Sequence, residues 1–156
     1  MAGFAATFGE ADRAGTEAML QKMAHRGGAR HGIWMGDRCA LAQELLAADG
    51  VPAGTPTPVA HDGILIAYDG QTIRPAAKDV LQEKRLLKLY AERGEGMFDV
   101  LGDAVFAFVI SDGQNLLAAR DLLGIKTLFY GWKNDTLCFA SELKGLKAHT
   151  EDVNEF

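Results

Sequence analysis

Cysteine is scarce in this chain: 2 residues, Cys39 and Cys138, among 156. They lie far apart and form no C-x-x-C pair, so neither a zinc site nor a disulfide scaffold is indicated, and both read as buried, reduced thiols. Positive charge is also in short supply. With 16 Lys and Arg against 21 Asp and Glu, the net charge is -5, which offers no basic field to nucleic acid. Long apolar runs are missing as well. The longest, Ala104 to Ile110, falls far short of the roughly 20 residues that span a bilayer, and no basic stretch leads into an apolar one at the start. The expectation is a cytoplasmic protein with neither membrane nor nucleic acid as partner. Proline numbers 4, and three of these fall in "DGVPAGTPTPVAHDG", which marks a surface loop.

What is present fits one domain over 1–156, because 48% apolar and 24% charged residues suffice for a buried core at this length. The opening "MAGFAATFG" reads as a strand with its terminus tucked inward, which is unusual because termini fray unless tied down. Between Glu10 and Ala24, the i, i+4 pairs Leu20 with Ala24 and Met19 with Met23 predict a helix with one buried stripe. Two short strands follow in "GIWMGD" and "RCALAQELLA", joined at Gly36 and Asp37. "ILIAYDG" predicts a strand ending in a turn. A helix is expected from Pro75 to Arg93, burying Val80, Leu87 and Tyr90, with Gly94 beyond its end. The strands "DAVFAFVIS", "NLLAARD", "TLFYGW" and "TLCFAS" make the last third sheet-rich. Because "AVFAFVI" is apolar at odd and even positions alike, both faces of that strand should be covered. The pattern predicts a layered α+β fold.

The blocks "MAGFAATFG", "MAHRGGARHG", "DGILIAYDGQTI", "GMFDVLGDAVFAFVISD", "NLLAARDLLGIKTLFYG" and "LCFASELKGL" occur in an order that resembles class II glutamine amidotransferase domains. The likeness is greatest to the amino-terminal domain of asparagine synthetases, whose blocks run MCGIxGIFG, LxHRGPDxxG, VxNGEIYN, GMFAFAIWD, LxLARDRxGxKPLYY and FASExKAL. The resemblance implies a four-layer αββα sandwich, Ntn-hydrolase-like. It also implies that the first strand ends in a glutamine pocket, where a terminal cysteine attacks the substrate amide with its own α-amino group as base.

Here the nucleophile position holds Ala2, whose methyl group cannot form a thioester. The family's carboxylate-clamping arginine falls on Leu45, which has no guanidinium fork to offer. The oxyanion-hole asparagine falls on Asp69; Gly70 is kept, and the neighbouring glutamate becomes Gln71. Matching the helix ahead of "LKLYAERG" puts Gln82 where the family holds the substrate amine. Several departures within one pocket favour natural loss over a single engineered change. The vestigial pocket is therefore Ala2, Leu45, Asp69, Gly70, Gln71 and Gln82.

For the remaining residues, structural roles are expected. His25, Arg26 and Gly27 shape a loop at the pocket's border, and Arg120 with Asp121 forms a network under a turn. Asp69 itself reads as a turn-former, Lys126 as an anion ligand or an exposed residue, and Cys39 as core. His31, His61 and His149 lack metal-ligand spacing and read as surface residues. No metal or cofactor is expected, and no pyrophosphate loop of the SGGxDS kind is present. Three functions follow from the resemblance: a catalytically silent domain serving a synthetase domain or subunit, a glutaminase domain seen as an inactive Ala2 variant, or a small-molecule sensor using the vestigial pocket. Homo-oligomer formation is left open.

Overall fold

A computed structural model describes residues 2–27, 30–45, 57–72 and 82–156. In chain order its main elements are β1 (Ala2–Phe8), α1 (Arg13–Gln21), β2 (Arg30–Met35), β3 (Cys39–Leu45), β4 (Val59–His61), β5 (Ile64–Thr72), α2 (Gln82–Arg93), α3 (Phe98–Leu101), β6 (Ala104–Ser111), β7 (Leu116–Arg120), β8 (Phe129–Lys133), β9 (Thr136–Ala140), α4 (Leu143–Leu146) and β10 (Asn154–Glu155). Two antiparallel sheets result. One runs β10-β8-β9-β1-β3-β2 and the other β4-β5-β6-β7. The opening strand lies inside the first sheet, hydrogen-bonded to β3 on one side and β9 on the other, and this ties down the terminus.

Alternation along the strands builds the layers. From β6, Ala107 and Val109 enter the space between the sheets, where they meet Phe4, Leu41, Leu65 and Phe139. Phe106, Phe108 and Ile110 face the other way and pack with Leu86, Leu87 and Met97 of the α2 region. The outer face of the first sheet is lined by small residues, Ala5, Ala42 and Ala140, on which Met19, Leu20, Met23 and Leu146 of the α1 and α4 side can sit closely. The order is helix, sheet, sheet, helix: the αββα sandwich. The all-apolar pattern of β6 has this cause, since that strand is buried on both faces.

Local chemistry shifts several boundaries. The helix expected from Glu10 begins at Arg13, because the Asp12 side chain accepts the Gly15 N–H at 2.8 Å and caps it. It stops at Gln21, and a 3₁₀ turn follows at Ala24–Arg26. Met19, Leu20 and Met23 are buried as the stripe predicts, whereas Ala24 is exposed because the helix has already ended. Within the proline-rich loop, residues 57–63 include the short strand β4, paired with β5; residues 49–56 lie outside the described part. Pro75 and Val80 of the second expected helix also lie outside it. The described helix Gln82–Arg93 buries Leu86 and Leu87, with Tyr90 half-buried beside them. "YDG" does not end a strand: β5 continues through it to Thr72, paired with β6 throughout.

Candidate functional site

Ala2 opens β1 and stands directly opposite Leu45 in the ladder, both almost completely buried. Asp69, on β5 of the facing sheet, is also buried, and its Oδ1 accepts the Ala2 N–H at 3.1 Å. Two cations share the same carboxylate. Arg26 Nη2 lies 2.9 Å from Oδ2, and Lys126 Nζ lies 3.1 Å from Oδ1. Arg26 also donates from Nε to the Ala2 carbonyl at 3.0 Å and from Nη1 to Glu142 Oε1 at 3.0 Å. Its planar fork thus joins the start of β1, the second sheet and the turn before α4, a reach that a single ammonium could not match.

Glu142 is the second anion of the cluster. His25 Nε2 lies 3.0 Å from its Oε1, and Lys144 Nζ lies 3.3 Å from its Oε2. Burial works against its charge, but His25, Lys144 and Arg26 outweigh it and hold the Glu142 carboxyl below the ordinary range. The inner part of the cluster, Asp69 with Arg26 and Lys126, is the buried part; such ions survive desolvation only when they are hydrogen-bonded to one another, and here they are. The donors converging on the head of β1 are spent on the chain's own Asp69.

The positions expected to form the pocket divide between the two faces of β5. Ala2, Leu45 and Asp69 meet between the sheets, where the register sets them together. Tyr68 precedes Asp69 and points the opposite way, into the α2 layer, where its hydroxyl donates to Gln82 Oε1 at 2.8 Å. Gln82 is therefore reached through Tyr68 and not through Asp69. At Gly70 a Cβ would strike the Val105 carbonyl and lie 2.8 Å from the Tyr68 hydroxyl, so only glycine fits there. Gln71 is exposed.

Three expectations are corrected. Asp69 is a buried strand residue in an ion cluster and not a turn-former. Lys126 is mostly buried against it, with 22% of its side chain exposed. His149 is not on the surface: 4% of its side chain is exposed, and its Nε2 lies 3.2 Å from Asp12 Oδ2. His31 and His61 are exposed as expected. Arg120 pairs with Glu155 at 3.1 Å, while Asp121 organises the following turn. Gly27 follows the 3₁₀ turn, its N–H bonded to the Ala24 carbonyl.

Cys39 does not lie beside Ala2. Cys39 pairs with Phe8 at the far end of the ladder that starts with Ala2 and Leu45, about 20 Å away at strand spacing. Its Sγ lies 3.0 Å from Ser111 Oγ, and burial pushes its thiol up. Burial, reinforced by Asp12, raises Cys138 to about 11. Neither is activated for attack. No cluster of metal-ligating side chains occurs among the described residues.

Sequence reasoning overlooked two members of the site. Glu142 belongs to the "FASE" block, and its place in a motif shared with the family was the available signal. Gln43 interrupts an apolar strand and is fully buried, with Nε2 donating to the Tyr68 carbonyl at 2.6 Å. Its polarity amid "CALAQEL" marked it.

Comparison with known proteins agrees with this fold. A glutamine amidotransferase domain family matches positions 78–148. Asparagine synthetase [glutamine-hydrolyzing] 2 of Arabidopsis thaliana is 30% identical over 94% of this chain and 28% of its own length. A probable asparagine synthetase of Schizosaccharomyces pombe is 33% identical over 88% of the chain and 28% of its own length. Among solved structures, the glutamine phosphoribosylpyrophosphate amidotransferase of B. subtilis superposes over 99% of this chain and 48% of its own, with a TM-score of 0.76 at 14% identity. That likeness speaks to the fold alone.

The matches make the chain a relative of glutamine amidotransferase domains, and its fold is that of the Ntn-type members. Among them, the chain is related to the amino-terminal domain of asparagine synthetases, and it spans about 28% of the length of those relatives.

Proposed function

We propose that this chain is a catalytically silent amidotransferase domain that acts as a structural or partner-binding part of an asparagine-synthetase-like assembly, its partner being a synthetase domain or subunit. The observation that carries this reading is the seat beside Ala2. A methyl group stands where a nucleophile is required, and the Ala2 N–H, Arg26 and Lys126 all converge on Asp69. A carboxylate there repels a developing oxyanion, and donors already engaged cannot stabilise one. Leu45, opposite Ala2, gives a substrate carboxylate nothing to bind. The length of the relatives beyond the matched 28% supports a synthetase partner.

The test is proton NMR of the protein with millimolar glutamine, followed for a day beside an Ala2→Cys variant. The expected outcome is no glutamate from either protein, because restoring the thiol leaves Leu45 and the Asp69 ion cluster in place. Glutamate from Ala2→Cys would return the chain to the glutaminase reading, with Ala2 as its one inactivating change. Shifted resonances in the unaltered protein without turnover would make it a glutamine sensor.

A further inference from the structure

Apolar side chains crowd one turn of the surface. In the loop from β7 to β8, Leu122 is 99% exposed, Leu123 81% and Ile125 59%. Scattered exposed apolar residues are ordinary, but three within four residues on one tip are not. The tip is also held rigid. The Asp121 carboxylate accepts the N–H groups of Ile125 and Lys126, each at 3.0 Å, and of Phe106 at 3.3 Å. Gly124 turns the chain at φ +63, with the Arg120 guanidinium beneath it where a Cβ would sit. A preorganised tip loses little conformational freedom on binding.

Its surroundings point to the occupant. Arg120 pairs with Glu155 of β10, and the Phe156 N–H bonds to the Leu128 carbonyl at 3.2 Å. Residues 154–156 therefore run alongside the base of the tip. In relatives of which this chain spans 28%, further chain has to be accommodated against some face of the domain, and this face is both apolar and next to the last residues. From the base of the tip, Lys126 reaches Asp69, which ties the tip to the ion cluster.

We propose that the Leu122–Leu123–Ile125 tip is the surface on which the synthetase portion docks, whether that portion is in the same chain or a separate one. This assignment rests on the partner reading above. The probe is the synthetase portion encoded in the same genome, purified without any amidotransferase part and titrated by calorimetry into the unaltered chain and into Leu122→Asp/Leu123→Asp. Because both side chains face solvent, the double variant folds, which circular dichroism checks. Val100→Asp, an exposed position on α3, serves as the control.

Binding by the unaltered chain and by Val100→Asp, weakened at least about tenfold in the double variant, is the expected result. Equal binding by the double variant overturns the surface and leaves the partner reading intact. No binding by the unaltered chain overturns both. Sedimentation that shows a dimer of the chain, broken by the double variant, assigns the tip to a second copy and overturns the synthetase as its occupant.

Discussion

Asp69 is the residue on which the two sheets are pinned at the head of β1. Replacing it with asparagine keeps the shape and one acceptor for the Ala2 N–H, but takes the anion from Lys126, whose side chain is 22% exposed, and leaves Arg26, at 11%, with Glu142 alone. Breaking a buried pair from one side is costly, and a loss of about 2–4 kcal/mol is expected from urea unfolding of Asp69→Asn. An unchanged midpoint would mean that solvent screens the cluster. Little of this was legible in "YDG", which has the composition of a turn. The two cations stand 43 and 57 positions away, and no local pattern announces a partner at that separation. Ala2 and Leu45 were legible as positions, because motif blocks align residue by residue, but the ladder alone sets them opposite each other.

At the scale of elements, Asp121 does for the 121–126 turn what a cap does for a helix. Although burial opposes its charge, the N–H groups of Lys126, Ile125 and Phe106 outweigh it and hold its carboxyl below the ordinary range. Asp121→Ala strands these donors. The expected result is about 1–3 kcal/mol of lost stability and faster amide exchange at Ile125 and Lys126, measured by hydrogen exchange; unchanged exchange would show that the turn is held by its neighbours instead. The strands themselves were legible from alternation and apolar runs, and the doubly buried β6 followed from having no polar face. Boundaries were less so. Asp12 stops α1 short through a hydrogen bond to Gly15, a choice between two plausible starts that periodicity does not distinguish. Strand β4 hid within a proline-rich loop because its pairing partner, β5, supplies the reason for it to be extended.

For the whole molecule, pH exposes a device unrelated to the pocket. His149 is wedged against Gly15, between Asp12 and Lys133. Burial, then Lys133, lowers its pKa from the ordinary 6.5, with Asp12 opposing. The unfolded chain therefore takes up a proton before the folded one does. Stability from this group is complete above pH 6.5 and declines as pH falls from there towards the folded value, with a slope of at most about 1.4 kcal/mol per pH unit. Urea midpoints at pH 7.5 and 5.5 should differ in the unaltered protein and differ less in His149→Gln; equal differences would place the acid sensitivity elsewhere. By itself, the order of residues determined the layered α+β architecture, the family and the absence of a nucleophile at position 2, because these reside in local periodicity and in side-chain identity. Only the tertiary structure decided that Arg26, Asp69, Lys126 and Glu142 form one cluster, that His149 is buried and that Cys39 lies at the wrong end of its strand. Those facts depend on which face and which register distant strands adopt, and both are fixed by packing two sheets and two helical layers at once.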